Sequence, residues 1–226
     1  MSRRPQSEKA LRAADAVDKI SNGDVMMVGG FGQAGTPLFL LETLAETRTR
    51  DLTVISNNLG EQGVGLGRLL LNRQISRAIG SFFTNNPDAV KASNDGEISV
   101  ELLPQGTLAE AIRAGGAGIP AFYTPTGADT ELSRDKEVRA FEGRNYVLER
   151  ALRADVALIK AGRADELGNL TYDKSARNFN PAMAMAASLV IVEVSEIVPV
   201  GHLSPEEIVT PHIFVDHLVE SSNADN

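Results

Sequence analysis

Two stretches of the chain carry residues that can act on a ligand. The first is VGGFGQAGTP, Val28 to Pro37, in which four of ten residues are glycine. Gly29, Gly30, Phe31, Gly32, Gln33, Ala34 and Gly35 read as a loop between a strand and a helix. Such a loop lets a ligand approach the backbone closely and offers it N–H groups beside the positive end of a helix dipole. The chemistry expected is binding of a phosphorylated or thioester-bearing ligand. The second stretch is Asn57-Asn58, after the apolar run Leu52 to Ile55. Neutral amides hold a carboxylate or carbonyl oxygen without bringing in a charge that must be desolvated. An ordinary Asx turn explains the same pair equally well. Gln105, between Pro104 and Gly106, carries the same two readings.

Other chemistry is thinner. Gly30 to Gly35 is a literal G-x-G-x-x-G, the dinucleotide fingerprint, but that fingerprint wants an acid after the second strand and finds Asn57-Asn58. His202, His212 and His217 do not share metal-ligand spacing and read as structural or surface residues. There is no cysteine, hence no disulfide, thiolate metal site or thiol nucleophile. No G-x-S-x-G elbow and no Walker-type lysine is present. Lys174, Arg177 and Asn178 read as a solvated helix start. No glutamate stands in a setting that marks it as a nucleophile. The residues describe a binding edge that lacks a reactive group.

These residues need a scaffold that brings them together. Strands at Val25–Val28 and Leu52–Ile55 with a helix between them predict a βαβ unit and a parallel sheet. Both the glycine loop and Asn57-Asn58 then lie at the carboxyl edge, where open α/β sheets bind ligands. Thr36 suits the N-cap of that helix and Pro37 its first position. Ala10, Ala13, Ala14 and Val17 fall at helical spacing and predict a helix over about 7–20. A glycine-rich bend at Gly60 to Gly67 precedes a short helix. Further strands are expected at Ile75–Phe82, Ser99–Leu103, Val156–Lys160, Leu170–Tyr172, Leu189–Val194 and Ile213–Leu218. Thr107 with Glu110 forms a capping box, and Gly115 to Gly118 a helix stop. Asn180-Pro181 and Ser204-Pro205 with Glu207 repeat the cap-then-proline pattern. Val138–Phe141 and Tyr146–Leu148 around Glu142-Gly143 predict a surface β-hairpin. The fold class is α/β: an open, mostly parallel sheet flanked by helices, with a small hairpin excursion. One domain is expected over 1–226, with flexible ends at 1–6 and 220–226.

Composition sets the outer limits. The 226 residues are enough for a single core without staples. The net charge of −8 argues against a nucleic-acid partner, which would meet a basic face. The longest apolar stretch, Pro181 to Val192, is too short to span a bilayer, and the first residues lack the apolar core of a signal peptide. The expected location is the cytoplasm.

Asn22-Gly23, the apolar trio Met26, Met27 and Val28, then Gly29-Gly30-Phe31, Gly35 and Pro37 match the first signature of family I coenzyme A transferases. Ser56 to Asn58, Leu102 to Gly127 and Gly168 to Ala187 resemble α-subunits of the same family, so the resemblance runs from about Asn22 to Leu218. It implies the α-subunit of a 3-oxoacid CoA-transferase. Such enzymes move CoA between an acyl-CoA and a short carboxylate (acetate/acetoacetate, 3-oxoadipate or succinate) by a ping-pong route. The route passes through a glutamyl-CoA thioester on a Ser-Glu-Asn-Gly motif of the β-subunit, and this chain has no such motif. The resemblance therefore implies a β-subunit partner in an α2β2 assembly. It makes Gly29 to Gly35 the CoA-binding loop, sets Asn57 and Asn58 beside the reacting acyl group, and turns Gln105 toward the partner's glutamate. Coenzyme A enters as a thioester substrate, with no permanently bound cofactor and no metal. The stretch from Gly168 to Pro181 leans toward acetate/acetoacetate or 3-oxoadipate members over the succinate group. A dinucleotide-dependent oxidoreductase and a non-catalytic ligand-binding protein on the same fold remain as alternatives.

Overall fold

Short apolar strands alternate with short helices, and their order builds the sheet. A computed structural model describes residues 9–221. The elements are α1 (Ala13–Val17), β1 (Val25–Val28), α2 (Leu38–Ala45), β2 (Leu52–Ile55), α3 (Leu66–Leu71), β3 (Ile75–Gly80), α4 (Pro87–Asn94) and β4 (Ser99–Leu102). They continue with α5 (Gln105–Gly116), β5 (Ala121–Thr124), β6 (Val138–Phe141), β7 (Arg144–Arg150), β8 (Ala154–Asp165), β9 (Leu170–Thr171), α6 (Asn180–Ala186), β10 (Ala187–Val198) and β11 (His217–Glu220).

The main sheet has the order β11-β10-β8-β1-β2-β3-β4, with β9 paired to β8. All its strand pairs are parallel except β8–β9. Winding runs outward from β1 to β4, then returns to lay β8 on the other side of β1. That reversal is the topological switch point at which open α/β sheets bind ligands. Both faces are apolar, as a parallel sheet covered by helices requires. On β1, Met26 and Val28 face a core with Leu40, Leu41 and Leu44 of α2, while Met27 faces the opposite core with Leu108 and Ile112 of α5. Strand alternation divides them.

The hairpin forms at β6 and β7 as expected, and β5 extends it to a separate antiparallel sheet of order β5-β7-β6. Tyr123, Phe141 and Tyr146 stack edge-to-face across it, with centroids 5.3 and 5.4 Å apart.

Several local expectations give way to longer-range bonds. The first helix shrinks to α1, because Leu11 N–H donates to Leu218 O at 2.9 Å and draws the preceding chain along β11. Its expected start at Ser7 lies outside the described residues, as do 1–6 and most of 220–226; Glu220 itself closes β11. Thr107 does not cap α5, which already begins at Gln105 behind Pro104; its hydroxyl is buried without a hydrogen-bond partner. Ser204 likewise makes no side-chain cap. Ile213 falls in a single tight turn, His212–Phe214, rather than in the last strand.

Candidate functional site

The residues that could bind a ligand gather where β1 and β2 end. The loop after β1 folds as a tight bend, with Phe31 N–H donating to Ala34 O at 3.0 Å. The loop after β2 repeats the device: Gly60 to Gly65 bends so that Val64 N–H donates to Glu61 O at 3.2 Å. Phe31–Ala34 and Glu61–Val64 are matching antiparallel bridges. From sequence the second bend reads only as a helix lead-in. The signal for its role is the shared G-x-x-x-x-G spacing, Gly30 to Gly35 and Gly60 to Gly65.

Between the bends lies a cleft. Gly29, Gly30, Gly32, Gln33 and Thr36 line it from the first loop. Ser56 and Asn58 form its floor at the end of β2, and Gly60, Glu61, Val64 and Gly65 close it from the second loop. Phe31 stands outside the lining, 54% exposed on the tip of its bend. Glu61 is an exposed carboxylate on this cleft that sequence reasoning does not assign.

The first loop is shaped from far along the chain. Asn178 Oδ1 accepts from Gly30 N–H at 3.1 Å, and Asn178 Nδ2 donates to Ala34 O at 2.8 Å. Asn180, fully buried, donates through Nδ2 to Gly35 O at 3.0 Å and Ala176 O at 2.8 Å. Its Oδ1 accepts from Lys160 N–H of β8 at 3.1 Å. Asn178 is therefore a loop clamp rather than part of a solvated helix start. Asn180 grips the loop instead of capping α6, whose first residue it is. The fit is close: a Cβ on Gly29 would come within 1.8 Å of Asn180 Oδ1. Gly35, at φ +70°, would push a Cβ to 2.2 Å from Ala176 O.

The helix dipoles are already occupied. Thr36 does not cap α2; its hydroxyl donates back to Gly32 O at 3.1 Å. The buried Glu193 carboxylate accepts from Phe39 N–H at 2.9 Å and Leu40 N–H at 3.2 Å, and pairs with Lys160 Nζ at 3.0 Å. At the start of α3, Glu42 Oε1 accepts from Gly65 N–H at 3.0 Å. The α2 donors that a ligand anion could have used meet a glutamate, and ahead of α3 the Gly65 N–H does as well.

Asn57 and Gln105 meet beside the cleft. Asn57 Nδ2 donates to Gln105 Oε1 at 2.6 Å and to Ser81 Oγ at 2.8 Å. Ser81 Oγ also bonds Gln105 Oε1. Asn58 joins network to cleft, with Nδ2 donating to Asn57 Oδ1 at 3.4 Å and Oδ1 accepting from Gly60 N–H at 2.8 Å. Asn57 and Asn58 are buried, at 4% and 6% exposure. Three neighbouring strand ends, those of β2, β3 and β4, each contribute one residue to this contact.

None of the histidines lines the cleft. Burial pushes the His217 imidazole below its ordinary value, and its Nδ1 is buried without a partner. Among the described residues no group of three or more His, Asp or Glu side chains could hold a metal, and no helix is long and apolar enough to cross a membrane.

The coenzyme A transferase family model matches residues 10–221, nearly the whole chain. This chain belongs to that family. It is 51% identical over 214 residues to the A-type subunit of the succinyl-CoA:3-ketoacid coenzyme A transferase of Xanthomonas campestris pv. campestris strain B100, covering 93% of this chain and 88% of the relative. It is 45% identical over 216 residues to the alpha subunit of the acetate CoA-transferase of Escherichia coli strain K12, covering 96% and 98% of the two chains. Among solved structures, an acyl-CoA transferase from E. coli O157:H7, in thioester complex with CoA, superposes with a TM-score of 0.85 at 22% identity. That match covers 97% of this chain and 49% of the other, so this transferase chain spans about half the length of the solved one. The open, mostly parallel α/β fold expected from the sequence is the fold observed, and the oxidoreductase reading gains nothing from these relatives. The slight lean away from the succinate group gains nothing either, since the 51% relative carries that name.

Proposed function

We propose that this chain is the α-subunit of a heteromeric 3-oxoacid CoA-transferase, a single domain acting in the cytoplasm with a β-subunit in an α2β2 assembly. The observation that carries the reading is the cleft itself. It is lined by glycine bends and neutral amides, it opens beside the pairing of buried Asn57 with exposed Gln105, and its single carboxylate, Glu61, is solvent-exposed. A site of this kind binds and orients; the attacking glutamate comes from the partner.

In this reading Gly29 to Gly35 receive the thioester ligand, while Asn57 and Asn58 border the acyl group and Gln105 faces the partner's carboxylate. The two glutamate caps refine the expectation of an anion loop. With the α2 N-terminus satisfied by Glu193 and the Gly65 N–H by Glu42, the cleft suits the neutral, amide-bearing arm of coenzyme A better than its phosphates. Contacts along that arm supply binding energy that can be used at the reacting thioester. Donors fixed before the reaction stabilise the oxyanion that develops there without reorganising. The acceptor is a short carboxylate or 3-oxoacid.

The test is reconstitution. The purified chain alone should not transfer CoA, and adding a β-subunit with a Ser-Glu-Asn-Gly motif should produce activity. After incubation with acyl-CoA, mass spectrometry should find the covalent CoA adduct on the partner polypeptide, and Glu61→Gln should still form it. Turnover by the highly purified chain alone, or an adduct on Glu61, would overturn the proposal.

A further inference from the structure

The contact among Asn57, Ser81 and Gln105 fixes which end of the Gln105 amide faces the reaction. Gln105 Oε1 accepts two hydrogen bonds, one from Asn57 Nδ2 at 2.6 Å and one from the Ser81 hydroxyl. Asn57 Nδ2 has two hydrogens, and the second goes to Ser81 Oγ at 2.8 Å. The serine accepts from Asn57 and has one hydrogen, which goes to Gln105 Oε1 as the nearer acceptor rather than to the Asn57 main-chain oxygen at 3.4 Å, closing a three-membered ring of bonds. A flipped Gln105 amide would set its NH2 group against the Asn57 NH2 group, which cannot accept, and would keep a bond to Ser81 only if the hydroxyl turned its hydrogen to the more distant Asn57 main-chain oxygen at 3.4 Å. Turning the Asn57 amide to accommodate that flip would give up the bond its Nδ2 makes to Ser81 at 2.8 Å and the bond its Oδ1 accepts from Asn58 at 3.4 Å. The carbonyl of Gln105 is held inward, and its Nε2 hydrogens point away from the ring, on an exposed residue.

We infer that Ser81 is a positioning residue for the transfer reaction: it locks the Gln105 amide so that the NH2 end, and not the oxygen, is offered to the reacting carboxyl or thioester oxygen. Nothing in the sequence pattern marks it, for Ser81 follows β3 and touches no cleft residue of the glycine loops. The role is chemically specific. An amide free to rotate presents an acceptor half of the time, and an acceptor repels the oxyanion that the donor would stabilise. The inference rests on the CoA-transferase reading of Gln105.

The test uses the enzyme assembled with its β-subunit. Ser81→Ala should lower kcat about five- to tenfold, the loss expected for one hydrogen bond that orients a donor, and leave KM for the acyl-CoA within about twofold. Ser81→Thr keeps the hydroxyl and should restore the rate. In the Gln105→Ala background, Ser81→Ala should change kcat no further. Losses that multiply in the double variant, or a threonine that rescues nothing, would overturn the inference. A second measurement is independent of turnover. In the full chain, the side-chain NH2 resonances of Gln105 should lie away from the positions of a freely rotating glutamine, because the carbonyl is held by two hydrogen bonds, and should move toward those positions in Ser81→Ala. An unchanged Gln105 signal in that variant would also refute it. If the native assembly shows no transferase activity, the functional reading fails while the resonance result still decides whether Ser81 orients Gln105.

Discussion

Replacing Asn180 by aspartate keeps the shape of the side chain and changes one NH2 group into an oxygen. In the native chain that NH2 group donates to Gly35 O at 3.0 Å and Ala176 O at 2.8 Å, while the other end accepts from Lys160 N–H. The introduced carboxylate keeps the last bond, loses the first two, and points an oxygen at two carbonyl oxygens in a fully buried position. Two lost hydrogen bonds cost about 1 kcal/mol each, and an unpaired buried charge adds several more, for a total of roughly 4–6 kcal/mol. Asn180→Ala, which removes all three bonds without adding charge, should cost about 2–4 kcal/mol. The isosteric change is therefore the worse one. At ~2–4 °C per kcal/mol for a chain of this size, N180D should melt roughly 10–20 °C below the native protein. The sign with pH follows. The site favours the neutral acid, so the folded-state pKa of the introduced group lies above its unfolded value of about 3.9. Stability is retained at low pH, where a protonated acid can still donate one bond, and is lost as pH rises through the folded pKa. Urea denaturation at pH 5 and pH 8 measures this, and the deficit of N180D should be larger at pH 8. An N180D protein as stable as the native one, or more stable than N180A at pH 8, would refute the assignment of donor and acceptor at Asn180.

Gly29→Ala sets a methyl carbon 1.8 Å from Asn180 Oδ1, so the loop must shift. About 1–3 kcal/mol of stability should be lost, and KM for the acyl-CoA should rise about tenfold as the cleft deforms; native KM in this variant would show that the loop shape is unimportant for binding. His217 has its pKa lowered from 6.5, first by burial and then by Lys19, with Asp216 opposing. The unfolded state then takes up the proton first, so stability present above about pH 6.5 declines as pH falls below it. Thermal melts between pH 7.5 and pH 5 should show that decline in the native chain and a flatter profile in His217→Gln. Equal slopes would remove His217 from the account.

The framework of the fold is legible because buried parallel strands are written as apolar runs with glycine or asparagine at their ends. Val25–Val28, Leu52–Ile55 and Ser99–Leu102 form within a residue of where their composition places them. The caps mislead for a common reason. Thr36, Thr107 and Ser204 have the local chemistry of N-caps, yet Glu193, far along the chain, serves α2, and α5 starts at Gln105, behind Pro104 and two residues ahead of Thr107. Local propensity loses to a partner that arrives through the tertiary fold. The clamps on the glycine loop are separated from it by 144 to 148 residues, and no periodicity connects such positions. Asn57 and Gln105 could be suspected from residue type; that they touch each other through Ser81 follows only from β2, β3 and β4 lying side by side.

The glutamates that close α2 and α3 also govern how a ligand arrives. Buried Glu193 terminates the field of α2 inside the protein, and Glu42 takes up the Gly65 N–H ahead of α3, so less of that field extends into solvent. What a distant anion meets on this chain by itself is the overall charge of −8. A negatively charged ligand is then slowed on approach and is held only once it makes contact. Raising the ionic strength shortens the Debye length and weakens that repulsion, so for this cleft added salt speeds capture where a steered encounter would slow.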